Sequence, residues 1–209
     1  MEADIIAGNE HRLNVRHKEN KNGFLQMFNG GEVDIRTIAA HNTHEAKATG
    51  RVQEGGTDLI AFGDLIEYYD KEGSGRDDLP IGRWVYMKFK GADGIETIVL
   101  SGYCPCYNKR PDTGTSYQQH RRDYIKEQDD ETCPRVRFRE DLLKQLKEWQ
   151  DQGSRLVVCL DCNEDIYKKE LGEALVGEEG LGLKEVVGEY TGKKLGATFF
   201  RGKRPIDGV

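Results

Sequence analysis

Leu156-Val157-Val158-Cys159-Leu160 is a short apolar run that ends in Asp161-Cys162-Asn163 and two further acids, Glu164 and Asp165. A buried strand that carries polar groups at its carboxyl end holds them rigidly where the sheet meets solvent. Two other apolar runs end the same way: Ile5-Ile6-Ala7-Gly8 leads to Asn9 and Glu10, and Ile206 leads to Asp207. If these three ends converge, their carboxylates form a site for a hard divalent cation. Mg²⁺ prefers oxygen ligands, keeps several waters and needs only one or two protein carboxylates when a phosphate completes its shell. The chemistry such a site serves is phosphoester hydrolysis, with charge on the phosphoryl oxygens neutralised and a carboxylate positioning or deprotonating water. A second interpretation of Asp161 and Asn163 stays open from the local pattern: both residues also end strands and cap helices.

Other reactive residues point less clearly. The histidines are His11, His17, His41, His44 and His120. His11 adjoins Glu10, but as a surface residue at a loop entrance nothing fixes its direction. His41-x-x-His44-Glu45 lacks the full pattern of a helical zinc site. Cys104-x-Cys106 and Cys159-x-x-Cys162 do not sit in the loops a zinc knuckle needs, and Cys159 belongs to an apolar strand. Neither a phosphate-binding glycine loop nor a Gly-x-Ser-x-Gly elbow occurs, so neither a nucleotide cofactor nor a serine hydrolase is expected.

The elements that must position these residues read as strands joined by hairpins and helices. Strands are expected at 3–8, 33–40, 57–62, 83–89, 97–103, 156–160 and 197–200, with Asp93-Gly94 turning a hairpin between 83–89 and 97–103. Asp70 to Pro80 reads as a charged surface loop. Phe138, Leu142, Leu143, Leu146 and Trp149 share one face of a helix from Phe138 to Gln152, stopped by Gly153. A weaker helix is expected from Asp165 to Val176. Alternating strands with both kinds of connection imply an α/β fold with mixed sheets, and a four-layer α/β/β/α sandwich of two mixed sheets accommodates the order. The 209 residues suit a single domain.

Charged residues make up 33% of the chain and its formal charge is −6, with a pI near 5.5 and mean hydropathy of −0.73. That balance excludes a protein that grips nucleic acid through a large basic surface, though not a nuclease with a local basic rim. Such local clusters occur at His120-Arg121-Arg122, at Arg135 to Arg139, and at Lys193-Lys194 with Arg201, Lys203 and Arg204. Five cysteines, an odd number, suit reduced thiols and an intracellular setting. There is no basic-then-apolar leader and no apolar run of membrane-crossing length, so no membrane partner is expected.

Ala-Asp-Ile-Ile-x-x-x-Glu at 3–10, Gly55-Gly56 before a strand, Tyr103-Cys104-Pro105, Asp161-x-Asn163, and Thr198-Phe199 leading to Ile206-Asp207 occur in one order along almost the whole chain. In that order they resemble the endonuclease/exonuclease/phosphatase superfamily. Thr115-x-Tyr117-Gln118-Gln119 and Asp161-Cys162-Asn163-Glu164 are similar to its retroelement-associated members. The resemblance implies Mg²⁺, with Mn²⁺ as a substitute, held chiefly by Glu10. It implies Asp161 as the carboxylate acting on water, Asn163 and Tyr103 as donors to phosphate oxygens, and Asp207 as a supporting acid. The implied partner is a nucleic acid or another phosphoester substrate, and the implied reaction is endonuclease-type cleavage of DNA. A phosphatase or lipid phosphodiesterase of the same fold, or a non-catalytic interaction module, are the alternatives. The family's earlier Asn-bearing strand and its later Ser-Asp-His segment are not among these residues, so the chain reads as a domain trimmed at both ends, with activity impaired for want of that histidine.

Overall fold

The structure, a computed structural model, describes residues 4–17, 34–43, 52–128, 131–194, 196–198 and 205–209. Thr57–Phe62 (β3) is buried at every position but the last, because it lies between β1 (Ile5–Asn9) and β2 (Ile35–Ala40) in an antiparallel sheet ordered β1-β3-β2. A 3-10 helix, Gly63–Tyr68, then leads into the second sheet. That sheet comprises β4 (Tyr69–Arg76), β5 (Trp84–Lys90), β6 (Glu96–Tyr103), β7 (Arg155–Asp161) and β8 (Asp207–Gly208), hydrogen-bonded in chain order. Its neighbours run antiparallel except β6 and β7, which are parallel.

Residue alternation explains how the layers stack. Val85, Met87 and Phe89 on one face of β5, with Val99, meet Ala40, Leu59 and Ala61 of the smaller sheet. Trp84 on the opposite face, with Ile98, Leu100 and Leu160, packs against helix α2 (Pro134–Asp151). β6 is covered on both faces and is buried from Ile98 to Tyr103, as a central strand should be. On α2, Phe138, Leu142, Leu146 and Trp149 form the buried stripe, with Phe138 edge-on to Trp84 at 5.7 Å and Trp149 4.6 Å from Tyr86. Two short helices follow β7: α3 (Glu170–Val176) and α4 (Val186–Thr191). The result is the expected α/β sandwich of two sheets with helices. The larger sheet is mixed, and the smaller pairs antiparallel throughout its described strands.

Several elements depart from the sequence expectation. Asp70 to Pro80 was expected as a loop, yet Tyr69–Arg76 is the edge strand β4. Its polar residues hide the signal, and its register with β5 breaks between Asp70 and Gly75. There Ser74 Oγ donates to the Asp70 carbonyl at 2.5 Å and accepts from the Lys88 amide at 2.9 Å, so a hydroxyl fills the ladder. Helix α1, Ser116–Gln128, was not expected at all. Its buried face mixes Tyr117 and Tyr124 with Ser116, Gln118, Gln119, His120 and Asp123, so polar residues interrupt any apolar stripe. The helix expected from Asp165 begins only at Glu170, and α2 begins at Pro134, a turn before Phe138. Of the expected last strand, Ala197 and Thr198 are not in a strand, while 199–200 lie outside the described residues, as do His44, Arg201, Lys203 and Arg204.

A buried ion cluster ties the crossover helices to the sheet. Arg83, 2% exposed, donates to both Asp77 oxygens at 2.5 and 2.7 Å, to Asp141 of α2 at 2.7 Å and to the Tyr124 hydroxyl of α1 at 3.3 Å. Its guanidinium also lies 4.3 Å from the Trp84 ring centre. Burial pushes the Asp77 carboxyl up, opposed by its bonds to Arg83. Replacing Arg83 by Met leaves that carboxylate buried without its partner, and is expected to lower unfolding free energy by about 3–5 kcal/mol in urea titrations. A loss below about 1 kcal/mol would show the cluster to be dispensable.

Candidate active site

The parallel register of β6 and β7 sets Tyr103 beside Asp161, and the antiparallel β7–β8 pair sets Asp161 beside Asp207. Glu10 approaches from the other sheet, at the end of β1, and accepts a hydrogen bond from the Tyr103 hydroxyl at 3.2 Å. Ends of strands from both sheets thereby meet at one place. The structure brings Glu10, Tyr103, Asp161 and Asp207 together, and sets Asn163 at its margin.

Each side chain has a distinct environment. Tyr103 is buried, and its hydroxyl lies 3.1 Å from Ser116 Oγ. A carboxylate only accepts, so the phenol donates to Glu10 and takes the serine proton in return. Burial raises the Tyr103 pKa, and the nearby Glu10 and Asp161 carboxylates raise it further, so it remains a donor at neutral pH. Asp161 is pushed up to about 7, first by burial and then by the Asp207 and Glu10 charges, against the Asn163 amide that donates to it at 3.1 Å. Asn163 donates its side-chain amide to the Cys104 carbonyl at 2.9 Å, which leaves one amide hydrogen for another acceptor. Cys162 points the other way into the helix-side core, as strand alternation requires.

Backbone geometry sets these positions apart. Glu10, Arg12 and Asn163 have φ of 54°, 55° and 48°, the left-handed region that side chains usually avoid. Such conformations cost about 1–2 kcal/mol each and concentrate at functional sites. Arg12 turns its guanidinium onto Glu54 at 2.5 Å, near enough to Glu10 for that carboxylate to act on it too. Arg12 and Ser116 are site residues that the sequence reading passed over. Ser116 lies between Thr115 and Tyr117, inside a segment already singled out, but only the fold shows its contact with Tyr103.

His11 faces away from this constellation. Its Nδ1 accepts from the Leu13 amide at 3.0 Å, its Nε2 lies 3.1 Å from His41 Nδ1, and a side chain at Gly56 would collide with its ring. Burial lowers both histidines to about 4, His11 also feeling His41 and His41 feeling Arg76, so both rings are neutral at pH 7. His41 braces the Glu10 loop through its contact with His11, and His44, the other residue of the His41-x-x-His44 spacing, lies outside the described residues.

A cleft of about 390 Å³ opens beside the acids, walled in part by Ala7, Asn9, Cys159 and Val187. Among the described residues no group of three or more His, Cys, Asp or Glu side chains is placed to hold a metal ion. Mg²⁺ does not require such a group. Glu10, Asp161 and Asp207 meet at adjoining strand ends, where a divalent cation would offset their charge, and the all-oxygen donor set fits Mg²⁺ or Mn²⁺.

The fold is shared with the human Nocturnin catalytic domain, whose structure was solved with a bound sulfate anion. The two superpose with a TM-score of 0.57 over 98% of this chain and 67% of that one, at 11% sequence identity. That likeness is one of fold. No family model and no curated protein matches the sequence. No described helix is long and apolar enough to cross a membrane.

The raised Asp161 has a measurable sign. An acid whose folded pKa exceeds its unfolded value keeps its stabilising proton below the unfolded pKa, near 4, and loses that stability as pH climbs through about 7. Asp161→Asn is therefore expected to stabilise the metal-free protein at pH 8 by about 4 kcal/mol, and by progressively less as the pH falls toward 4. Equal denaturation midpoints for the two proteins at pH 8 would show that the acids are not crowded.

Proposed function

We propose that the chain is a metal-dependent phosphodiesterase of the endonuclease/exonuclease/phosphatase superfamily, acting as an endonuclease on DNA. The observation that carries this reading is the meeting of Glu10, Tyr103, Asp161 and Asp207 from four strand ends, with the Tyr103 hydroxyl 3.2 Å from Glu10. The shared fold supports it, and the sulfate bound by human Nocturnin is a tetrahedral oxyanion like phosphate. The retroelement-type likeness rests on residues 115–119 and 161–164.

Glu10, aided by Asp207, would hold Mg²⁺, which supplies charge neutralisation on the phosphoryl oxygens. Asp161 accepts the proton of the attacking water, as a carboxylate held rigidly at the end of β7 can do. Tyr103 is a fixed donor: Ser116 fills the acceptor side of its hydroxyl, leaving its proton directed toward Glu10 and the phosphate oxygen that would lie beside it. Asn163 keeps one amide hydrogen for the same phosphate. Asp207 holds its charge next to Asp161, raising that group's proton affinity.

Plasmid nicking with Mg²⁺ tests the assignment. The native chain is expected to nick supercoiled DNA, and Glu10→Gln and Asp161→Asn to reduce the rate at least 100-fold, about the loss of one acid–base group. Hydrolysis of bis(p-nitrophenyl) phosphate with plasmid left intact would instead select a small-substrate phosphatase or lipid phosphodiesterase. Absence of both activities, with no calorimetric Mg²⁺ binding at roughly millimolar concentration, would select the non-catalytic interaction module.

A further inference from the structure

The chain is acidic overall, yet residues 105–122 carry Lys109, Arg110, Arg121 and Arg122 against a single acid, Asp112. Lys109, Arg110 and Arg121 are exposed, and none of the three forms an ion pair among the described residues. A local cluster of exposed cations on an otherwise anionic protein attracts anions to that one place, and it points to an anionic partner.

An aromatic ring stands among them. Tyr107 is 55% exposed. It is not loosely held. Its ring meets Tyr117 in a T-shaped contact at 5.2 Å, and Tyr117 is buried, with its hydroxyl 3.4 Å from Cys133 Sγ. The surrounding loop is braced as well. Asn108 accepts from the Arg110 amide at 2.8 Å and donates to Thr113 at 3.2 Å, while Gln118 donates to the Asn108 carbonyl at 2.5 Å and Arg122 to that of Pro111 at 3.1 Å. Tyr107 thus presents a fixed ring whose ordering cost has already been met within the fold.

The loop's position ties it to the candidate active site. It leaves the sheet directly after Tyr103 and returns at Ser116, and these two residues touch at 3.1 Å. Its first carbonyl, that of Cys104, is held by Asn163. The foot of the loop is therefore part of the site itself, and Tyr107 stands four residues beyond the Tyr103 phenol.

We propose that this loop is a docking platform for a single-stranded nucleic-acid segment, with Tyr107 stacking on an unpaired base and Lys109, Arg110 and Arg121 taking the flanking phosphates. Cations alone would serve any polyanion, but a rigid exposed ring between them fits a polymer that alternates phosphates with flat aromatic faces. The platform deepens the phosphodiesterase reading by naming a strand with unstacked bases as substrate, and it rests on that reading only for the cleavage that would follow binding.

Fluorescence anisotropy in EDTA, with labelled oligo(dT) and oligo(U) strands of about 12 nucleotides, tests it without catalysis. Tyr107→Ala is expected to weaken binding roughly tenfold and Tyr107→Trp to restore it, since stacking tolerates any large ring. An abasic strand of the same length should bind the native chain and Tyr107→Ala alike. The double variant Lys109→Ala/Arg110→Ala should reduce the slope of log affinity against log salt by about 1.4, the value for two phosphate contacts on a single strand. Unchanged affinity in Tyr107→Ala, equal losses on normal and abasic strands, or polyglutamate bound as tightly as either oligonucleotide would overturn the platform. The two proposals separate cleanly. Tyr107-dependent binding without Mg²⁺-dependent nicking retains the platform and removes the nuclease, whereas nicking lost in Glu10→Gln with Tyr107-independent binding does the reverse.

Discussion

Parallel pairing of β6 and β7 is the constraint on which the rest depends. It sets Tyr103 and Asp161 side by side, both at strand ends, and fixes the Cys104 amide on the Asp161 carbonyl at 2.9 Å. Parallel neighbours cannot be joined by a tight turn, so the chain must leave the sheet and come back over it. That excursion is α1 and α2. The first brings Ser116 onto Tyr103, and the second supplies the apolar stripe that covers the large sheet. Chemistry and core thus descend from a single topological requirement.

The two sheets contribute unequally to the site. The larger supplies three groups on adjoining strands, with spacing set by the ladder. The smaller supplies Glu10, whose position depends on a loop held by other means. Gly56 lies against the His11 ring, His41 meets it from the end of β2, and Arg12 is bound to Glu54. Gln119 of α1 reaches across as well, accepting from Asn42 at 2.9 Å and from Gln53. Buried amides with several partners impose a definite arrangement where apolar contacts would permit sliding, so the distance between Glu10 and Tyr103 is governed by polar bonds rather than by the hydrophobic core.

What could be read from the sequence follows the same division. Asp161 and Glu10 stood out because apolar runs stopped abruptly before them. The hairpin at Asp93-Gly94 and the stripe on α2 were equally plain. Elements stabilised by polar contacts were not. Helix α1 buries Gln118, Gln119, His120 and Asp123, and β4 completes its ladder with the Ser74 hydroxyl, so neither shows hydrophobic periodicity. Ser116 and Arg12 were missed for a related reason: their partners lie far away in sequence or on a turn that no pattern reveals.

The left-handed backbone at Glu10, Arg12 and Asn163 bears on how this sequence can drift. Glycine adopts that conformation at little cost, and asparagine is more at ease there than glutamate or arginine. Under selection for folding alone, the easiest steps at positions 10 and 12 lead toward glycine, each relieving local strain. Glutamate and arginine at these two points therefore lie uphill of their simplest replacements. A lineage that had ceased to use the carboxylate would have an energetic incentive to discard it, and in this chain that slope has not been descended.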